Sequence, residues 1–280
     1  FLIGDATCFA LGRMAADEAE LLTLATDPDH RREGLARVAL SPLLIMQALK
    51  VRRIAQRLPE AAGQRSGVVG SGPPLRLRII GDSSAAGVGV QTQRDALSGQ
   101  LATALSDHFA VSWQLDAASG ATTKSTRMRL QHTAAEPADI IVTALGVNDV
   151  TRLLPRRAWL SQQMALFDDL RKRHHPHQIY LSGVPPMGAF PLLPQPLRWT
   201  LGRHARAFEA TMQRHTVATP DLTYVPFDLP PDPGLMASDG FHPNAQLNTL
   251  WAKEMASRII TDWPRFSRSR SDQSRSTRPS

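Results

Sequence analysis

The stretch LRLRIIGDSSAAGVGV, residues 75–90, changes character halfway along its length. Its first six residues alternate and then become wholly apolar, which predicts a strand that enters a core. The strand pattern stops at Gly81, where an acid and two hydroxyls (82–84) are followed by small residues and further glycines. We therefore expect a buried strand that ends in a tight turn carrying polar groups.

Strand-like segments alternate with helical patterns along the middle of the chain. The strand candidates are residues 75–81, 111–116, 138–145, 178–183 and 222–227. Apolar residues recur at helical spacing over 97–109 and 247–259, and over 44–58 ahead of the first strand. Repeated strand–helix alternation predicts an α/β fold, with a parallel sheet covered on both faces. In such a sheet the ligand site lies beyond the carboxyl ends of the strands.

Polar groups follow three of the predicted strands. Ser83 follows the first strand, Gly120 the second, and Asn148 the third. A fourth polar segment, SDGFHPN at residues 238–244, precedes the last helix. Because parallel strands end at one edge of a sheet, we expect the first three groups to meet there, and the fourth can join them.

Together these groups supply what acyl transfer requires. A serine hydroxyl is a poor nucleophile until a base removes its proton, so Ser83 is the candidate nucleophile and His242 the candidate base. Asp239, three residues earlier, can orient the imidazole. The tetrahedral intermediate needs hydrogen-bond donors, and the candidates are the backbone N–H groups of Ser83 and Gly120 and the side-chain amide of Asn148.

The motifs GDSS, SGATT, GVND and DGFHP, in this order, resemble those of the SGNH hydrolases, also called GDSL esterases and lipases. The resemblance covers roughly residues 41–263, and the four letters of the name match Ser83, Gly120, Asn148 and His242. It implies a flavodoxin-like three-layer α/β/α sandwich with a five-stranded parallel sheet. It also implies ester or thioester hydrolysis without a metal or an organic cofactor.

One position departs from the family's pattern. Ser84 stands where the family name has leucine, so either hydroxyl could be the nucleophile. We favour Ser83 because it directly follows Gly-Asp, and we interpret Asp82 as a structural acid that binds loop amides. The histidines of RKRHHPH, residues 171–177, are interpreted as a solvated helix end rather than a metal site.

The expected function is hydrolysis of short- to medium-chain carboxylic acyl esters by a serine esterase, with a small-molecule ester as partner. A thioesterase or an acyltransferase could use the same residues. The net charge of +7 leaves a third alternative, a basic module that binds nucleic acid or anionic surfaces. We also expect the apolar, proline-rich loop 183–199 to wall the substrate pocket.

The two ends of the chain differ from its middle. Residues 17–36 resemble part of the GNAT acetyltransferases, with Arg31, Gly34 and Ala36 at positions of the loop that binds coenzyme A. We expect residues 1–40 to be a non-functional fragment or extension, 41–264 to be the hydrolase domain, and the Arg/Ser-rich residues 265–280 to be disordered. A working acetyltransferase, which would bind acetyl-coenzyme A, is the alternative.

Location is predicted from what the sequence lacks. No run of apolar residues is long enough to span a membrane, the first residues carry no basic leader, and Cys8 is the single cysteine. These features favour a cytoplasmic protein.

Overall fold

The structure is a computed structural model. Its backbone describes residues 2–4, 8–15, 18–26, 35–227 and 232–276, and its side chains are described over 42–227 and 232–264.

The central element is a mixed sheet of six strands. These are β4 (Ser66–Val69), β5 (Pro74–Gly81), β6 (Ala110–Ala117), β7 (Ile140–Ala144), β8 (Gln178–Ser182) and β9 (Leu222–Val225). Their order is β4-β6-β5-β7-β8-β9, and every neighbouring pair is parallel except β4 with β6. Three earlier strands, β1 (Leu2–Gly4), β2 (Cys8–Ala15) and β3 (Glu18–Thr26), form a separate antiparallel sheet.

The predicted α/β class is confirmed, but the predicted count of five strands is wrong by one. All five predicted strands are present, and β4 adds an antiparallel edge in a segment whose glycines, prolines and serines predicted a loop. The four residues SGVV carry little strand signal of their own. They are extended because they pair with β6, where Gly67 lies against the indole of Trp113.

Helices cover both faces of the sheet. They are α1 (Leu35–Ile54), α2 (Leu97–Leu105), α3 (Thr123–Leu130), α4 (Val147–Thr151), α5 (Arg156–His174), α6 (Leu197–Val217) and α7 (Ala245–Ser276). Residues of α2 and α7 form one buried apolar cluster with β5 and β6. Residues of α5 and α6 form a second cluster with β7 and β8. The result is the three-layer arrangement that the sequence predicts.

The alternating residues at the start of β5 point to opposite faces of the sheet. Its leucines and Ile79 belong to the cluster under α2 and α7. The intervening arginines lie on the opposite face, where Arg78 is buried and pairs with Asp116 at 2.6 Å, and Arg76 pairs with Asp139 at 2.7 Å. Each buried charge therefore has a partner, as burial requires.

Two helices extend across the predicted domain limits. Helix α1 begins at Leu35, so the expected boundary at residue 40 falls inside it. Helix α7 continues to Ser276, through most of the segment expected to be disordered. Extending an existing helix costs far less than starting one, which explains how a polar segment continues α7. The three domains stay a prediction. Within the described residues, no helix is long and apolar enough to cross a membrane.

Candidate active site

Ser83 lies in the turn that follows β5. The Ala86 N–H donates to the carbonyl of Asp82 at 2.9 Å, and the Val88 N–H donates to that of Ser83 at 3.0 Å. These bonds wind the chain into a compact turn at the carboxyl end of the central strand. Ser83 is half-buried there, so its hydroxyl stays within reach of a ligand.

The segment 235–244 brings His242 to the same edge. It folds back on itself, with the Ala237 N–H donating to the carbonyl of His242 at 2.8 Å. This segment packs closely against the turn that follows Ser83. A Cβ at Gly89, whose φ is +104°, would lie 2.5 Å from the Pro243 carbonyl oxygen. The glycine at position 89 therefore leaves room for the histidine segment.

Three of the predicted site residues form a continuous hydrogen-bonded relay. His242 Nε2 lies 2.9 Å from Ser83 Oγ, and Nδ1 lies 2.5 Å from Asp239 Oδ2. Since a carboxylate only accepts, Nδ1 carries the proton and Nε2 accepts from the serine hydroxyl. This bond goes to Ser83 and not to Ser84.

Asp239 is held as an anion. Its other oxygen accepts the backbone N–H groups of Phe241 and His242 at 2.9 and 3.0 Å. Burial alone would raise the pKa of Asp239, but the hydrogen bonds from His242 and Phe241 outweigh it and lower the pKa below its usual value. The buried carboxylate can therefore stabilise an imidazolium next to it.

Asp82 ties the serine turn to its neighbours. Its carboxylate accepts the Ser84 N–H at 3.0 Å and the Asn148 side-chain amide at 3.4 Å. Burial raises the pKa of Asp82 to about 6. These contacts match the structural role predicted for Asp82, because its carboxylate binds a loop amide. The carboxylate is not within hydrogen-bond range of His242.

Two of the three predicted oxyanion donors, Ser83 and Gly120, lie in turns, and the third, Asn148, lies in helix α4. Asn148 Nδ2 donates to the carbonyl of Ala121 at 3.0 Å, next to Gly120, and its bond to the residue before Ser83 is the longer one. Among the described residues, no acceptor lies within hydrogen-bond range of the backbone N–H of Ser83 or of Gly120. Both groups can therefore donate to a bound oxygen.

Two further acids shape the Gly120 loop. Asp149 is buried and accepts the N–H and the hydroxyl of Thr123 at 3.1 and 2.7 Å. Glu60 accepts the N–H and the hydroxyl of Ser119 at 2.7 and 2.8 Å. The sequence analysis missed Glu60, because a single acid in a Gly/Pro-rich segment carries no motif.

An apolar pocket opens beside the relay. Its walls come from the loop after β8, the segment 232–243 and the start of α7, and they include Pro185, Pro186, Phe190, Leu235, Phe241, Leu247 and Trp251. Trp251 is fixed by a hydrogen bond from its indole N–H to Ser182 Oγ at 2.9 Å. The first part of loop 183–199 therefore lines the pocket, as the sequence analysis expected. Ser84 also lines it.

The helix end at residues 171–177 is exposed at His175, as predicted, but not at its first histidine. His174 is fully buried and donates from Nδ1 to the carbonyl of Glu136 at 2.7 Å. Burial lowers the pKa of His174, which favours the neutral ring. Within the described part of the chain, no group of three or more histidine, cysteine or acidic side chains is arranged to hold a metal ion.

Solved structures with the same fold include several esterases. TesA is 20% identical, covering 66% of this chain and 97% of that one, with a TM-score of 0.52. The psychrotrophic esterase EstA from Pseudoalteromonas sp. is also 20% identical, covering 68% and 98%, with a TM-score of 0.52. The Clostridium thermocellum family 3 carbohydrate esterase is 14% identical, covering 67% and 96%, with a TM-score of 0.53.

No curated protein matches the chain. The acetyltransferase resemblance of residues 17–36 is not borne out, since the matching family model begins only at residue 79. A motif of three residues recurs by chance too easily to identify a family alone. The model of the GDSL-like lipase/acylhydrolase family matches residues 79–250, more than half of the chain. The chain therefore belongs to this family and is a carboxylic ester hydrolase.

Proposed function

We propose that the protein hydrolyses short- to medium-chain acyl esters through a covalent acyl-enzyme on Ser83. The observation that carries this proposal is the relay from Ser83 through His242 to Asp239, with distances of 2.9 and 2.5 Å, beside an apolar pocket. A positioned base, an orienting carboxylate and space for an acyl group are the elements that nucleophilic acyl transfer needs.

The reaction has two steps. Ser83 Oγ attacks the ester carbonyl while His242 Nε2 takes the hydroxyl proton, and Asp239 stabilises the resulting imidazolium. His242 then gives that proton to the departing alcohol. Water attacks the acyl-enzyme in the same way, with His242 as base, and releases the acid and the free serine.

The developing oxyanion is held by three donors. They are the backbone N–H groups of Ser83 and Gly120 and the side-chain amide of Asn148. Because the Asn148 bond to Asp82 is long, at 3.4 Å, its hydrogen can turn to the oxyanion at little cost. One such donor is typically worth about 10²–10³ in rate.

The pocket supports an aliphatic acyl group. One structure with the same fold is a carbohydrate esterase, but the pocket walls here are mostly proline, phenylalanine, leucine and tryptophan side chains, with a few polar residues such as Ser84 and Asp232. Apolar walls favour a hydrocarbon chain over a sugar, which needs polar partners. Phe190 packs edge to face on Phe241 at 5.0 Å and so fixes one wall beside the histidine.

The first experiment compares hydrolysis of p-nitrophenyl acetate, butyrate and octanoate by the wild type, Ser83→Ala and Ser84→Ala. We expect only Ser83→Ala to be inactive. Loss of activity in Ser84→Ala alone would move the nucleophile by one residue. An inactive but folded wild type would overturn the esterase proposal, and thioesters run in parallel would show whether a thioesterase replaces it.

A second experiment tests the pocket wall. Phe190→Ala should raise kcat/KM for octanoate relative to butyrate, because removing the ring lengthens the pocket. Leu192→Ala is the matched control, since it lies in the same loop but does not line the pocket. An unchanged chain-length profile in Phe190→Ala would reject the role of this wall.

A further inference from the structure

Over residues 43–49, helix α1 carries apolar side chains on two opposite faces. Leu43 and Gln47 lie on the buried face, where Gln47 donates to the carbonyl of Gln195 at 2.6 Å. On the opposite face Ile45 is 60% exposed and Leu49 62% exposed. A helix that is hydrophobic all round is normally covered on all sides. Strands β1, β2 and β3 contact α1, yet Ile45 and Leu49 stay more than half exposed, so this outer face is at most partly covered in the described structure.

The same helix is strongly basic. Residues 34–59 contain five basic side chains and no acid. Arg52 and Arg53 follow the apolar part within the helix, and Arg57 lies three residues beyond the end of the helix at Ile54. All three are exposed, and among the described residues no carboxylate lies within ion-pair distance of them.

Spacing places the two features on one side. Leu49 follows Ile45 by four residues, and Arg52 and Arg53 follow Leu49 by three and four. Residues at this spacing lie on the same face of a helix. The outer face of α1, defined by these four residues and Met46, therefore carries an apolar area followed by a cationic one.

We propose that the outer face of α1 docks on an anionic lipid surface. Apolar side chains that enter the acyl boundary and arginines that meet acidic headgroups are the pattern of helices that lie in a membrane interface. The positive charges argue against a second copy of this chain as the partner, because the same face would then meet its own charges. The arginines need a partner with negative charges, and an anionic bilayer supplies them.

Docking would also bring the substrate pocket close to lipid. Gln47 hydrogen-bonds to Gln195 and to the N–H of Leu197, near the end of loop 183–199, whose first part lines the pocket. This loop would therefore lie about one helix diameter, ~10 Å, from the lipid headgroups. Nearby on α6, Trp199 is half-exposed and lies under the guanidinium of Arg203 at 4.9 Å. Such aromatic side chains are common at membrane interfaces.

The test is flotation of the full chain with vesicles. We expect binding to vesicles made of equal parts phosphatidylcholine and phosphatidylglycerol, weaker binding to phosphatidylcholine alone, and a decrease with added salt. The double variant Arg52→Glu/Arg53→Glu should bind at least about 25-fold more weakly, at about fivefold for each arginine lost. Leu49→Asp should weaken binding about tenfold or more.

Matched controls separate this face from general charge and hydrophobicity. Val217, 89% exposed at the end of α6, and the exposed Arg214 lie elsewhere on the surface. Val217→Asp and Arg214→Glu should bind vesicles as the wild type does. All variants change exposed side chains, so activity on a soluble ester should be unaltered and shows that each one is folded.

Three results would overturn the proposal. The folded wild type could fail to bind anionic vesicles. The controls could weaken binding as much as the α1 variants, which would indicate attraction by net charge alone. Finally, Leu49→Asp could turn a dimer into a monomer in analytical ultracentrifugation without changing vesicle binding, which would assign the face to contact between copies of the chain.

Discussion

Replacing Asp239 with asparagine tests the proposed relay most directly. One carboxylate oxygen accepts two backbone N–H groups, from Phe241 and His242, at 2.9 and 3.0 Å. In the Asp239→Asn variant the amide oxygen must stay on that side to keep both bonds. Its NH₂ group then faces Nδ1 of His242, where the carboxylate now accepts at 2.5 Å.

This geometry fixes the consequence for the imidazole. Nδ1 must accept from the new amide, so the ring proton moves to Nε2, which faces Ser83 Oγ at 2.9 Å. A protonated Nε2 cannot take the serine proton. We expect kcat to fall by about 10³–10⁴, or about 4–5.5 kcal/mol in activation free energy. The thermal stability should change little, because both backbone bonds remain.

The assay is hydrolysis of p-nitrophenyl butyrate at saturating substrate, with circular dichroism to confirm folding. Asp95→Asn is the control, since Asp95 accepts from the Thr92 hydroxyl at the surface, away from the relay. If Asp239→Asn kept more than about a tenth of the wild-type kcat, less than 1.4 kcal/mol would be lost and the tautomer argument would be refuted.

Three further predictions follow from neighbouring contacts. Burial raises the pKa of Asp82 to about 6, so between about pH 4 and 6 the folded protein holds a proton on this carboxyl that the unfolded chain releases. The unfolding free energy should therefore fall by roughly 3 kcal/mol as pH rises over this range. Urea titrations should show this fall in the wild type and not in Asp82→Asn, and an equal dependence on pH in the two proteins would contradict it. Glu60→Ala should lower kcat about tenfold by freeing Ser119 and the Gly120 loop, with partial rescue in Glu60→Gln, as initial rates at saturating substrate would measure. Asn148→Ala should lower kcat about 10²–10³ with little change in KM, whereas an equal rise in KM would point to substrate binding instead.

The sequence predicted the fold where hydrophobic pattern and connectivity agree. Strands β5 to β9 all carry buried apolar residues and are separated by helices, and the helix that ends at Val217 and the one that begins at Ala245 frame the last of them. The strand β4 was missed because its extended shape depends on pairing with β6, which is a tertiary contact.

The residues of the candidate site also differ in how far the sequence predicts them. Ser83, Asp239 and His242 were predicted because their motifs carry the chemistry, and His242 lies within hydrogen-bond range of both other side chains. Glu60 was not predicted, because its contribution depends on contact with a residue 59 positions later. The exposed face of α1 was also beyond the sequence, since a mixture of apolar residues at helical spacing does not show which of them the rest of the chain covers.

The segment between α1 and β4 has a practical consequence for shortened versions of the protein. Ala61 and Ala62 pair with the chain that follows the Ser83 turn, and the buried Gln93 joins them by donating to the carbonyls of Ala61 and Ala86 at 3.0 Å. A fragment cut to the family-matched residues 79–250 would leave these groups, and the edge of the serine turn, without their partners. Such a fragment would also lose β4, the first residues of β5 and the last turns of α7 that pack on the sheet. The shortest active version of this hydrolase should therefore begin before Glu60 and extend past Ile259.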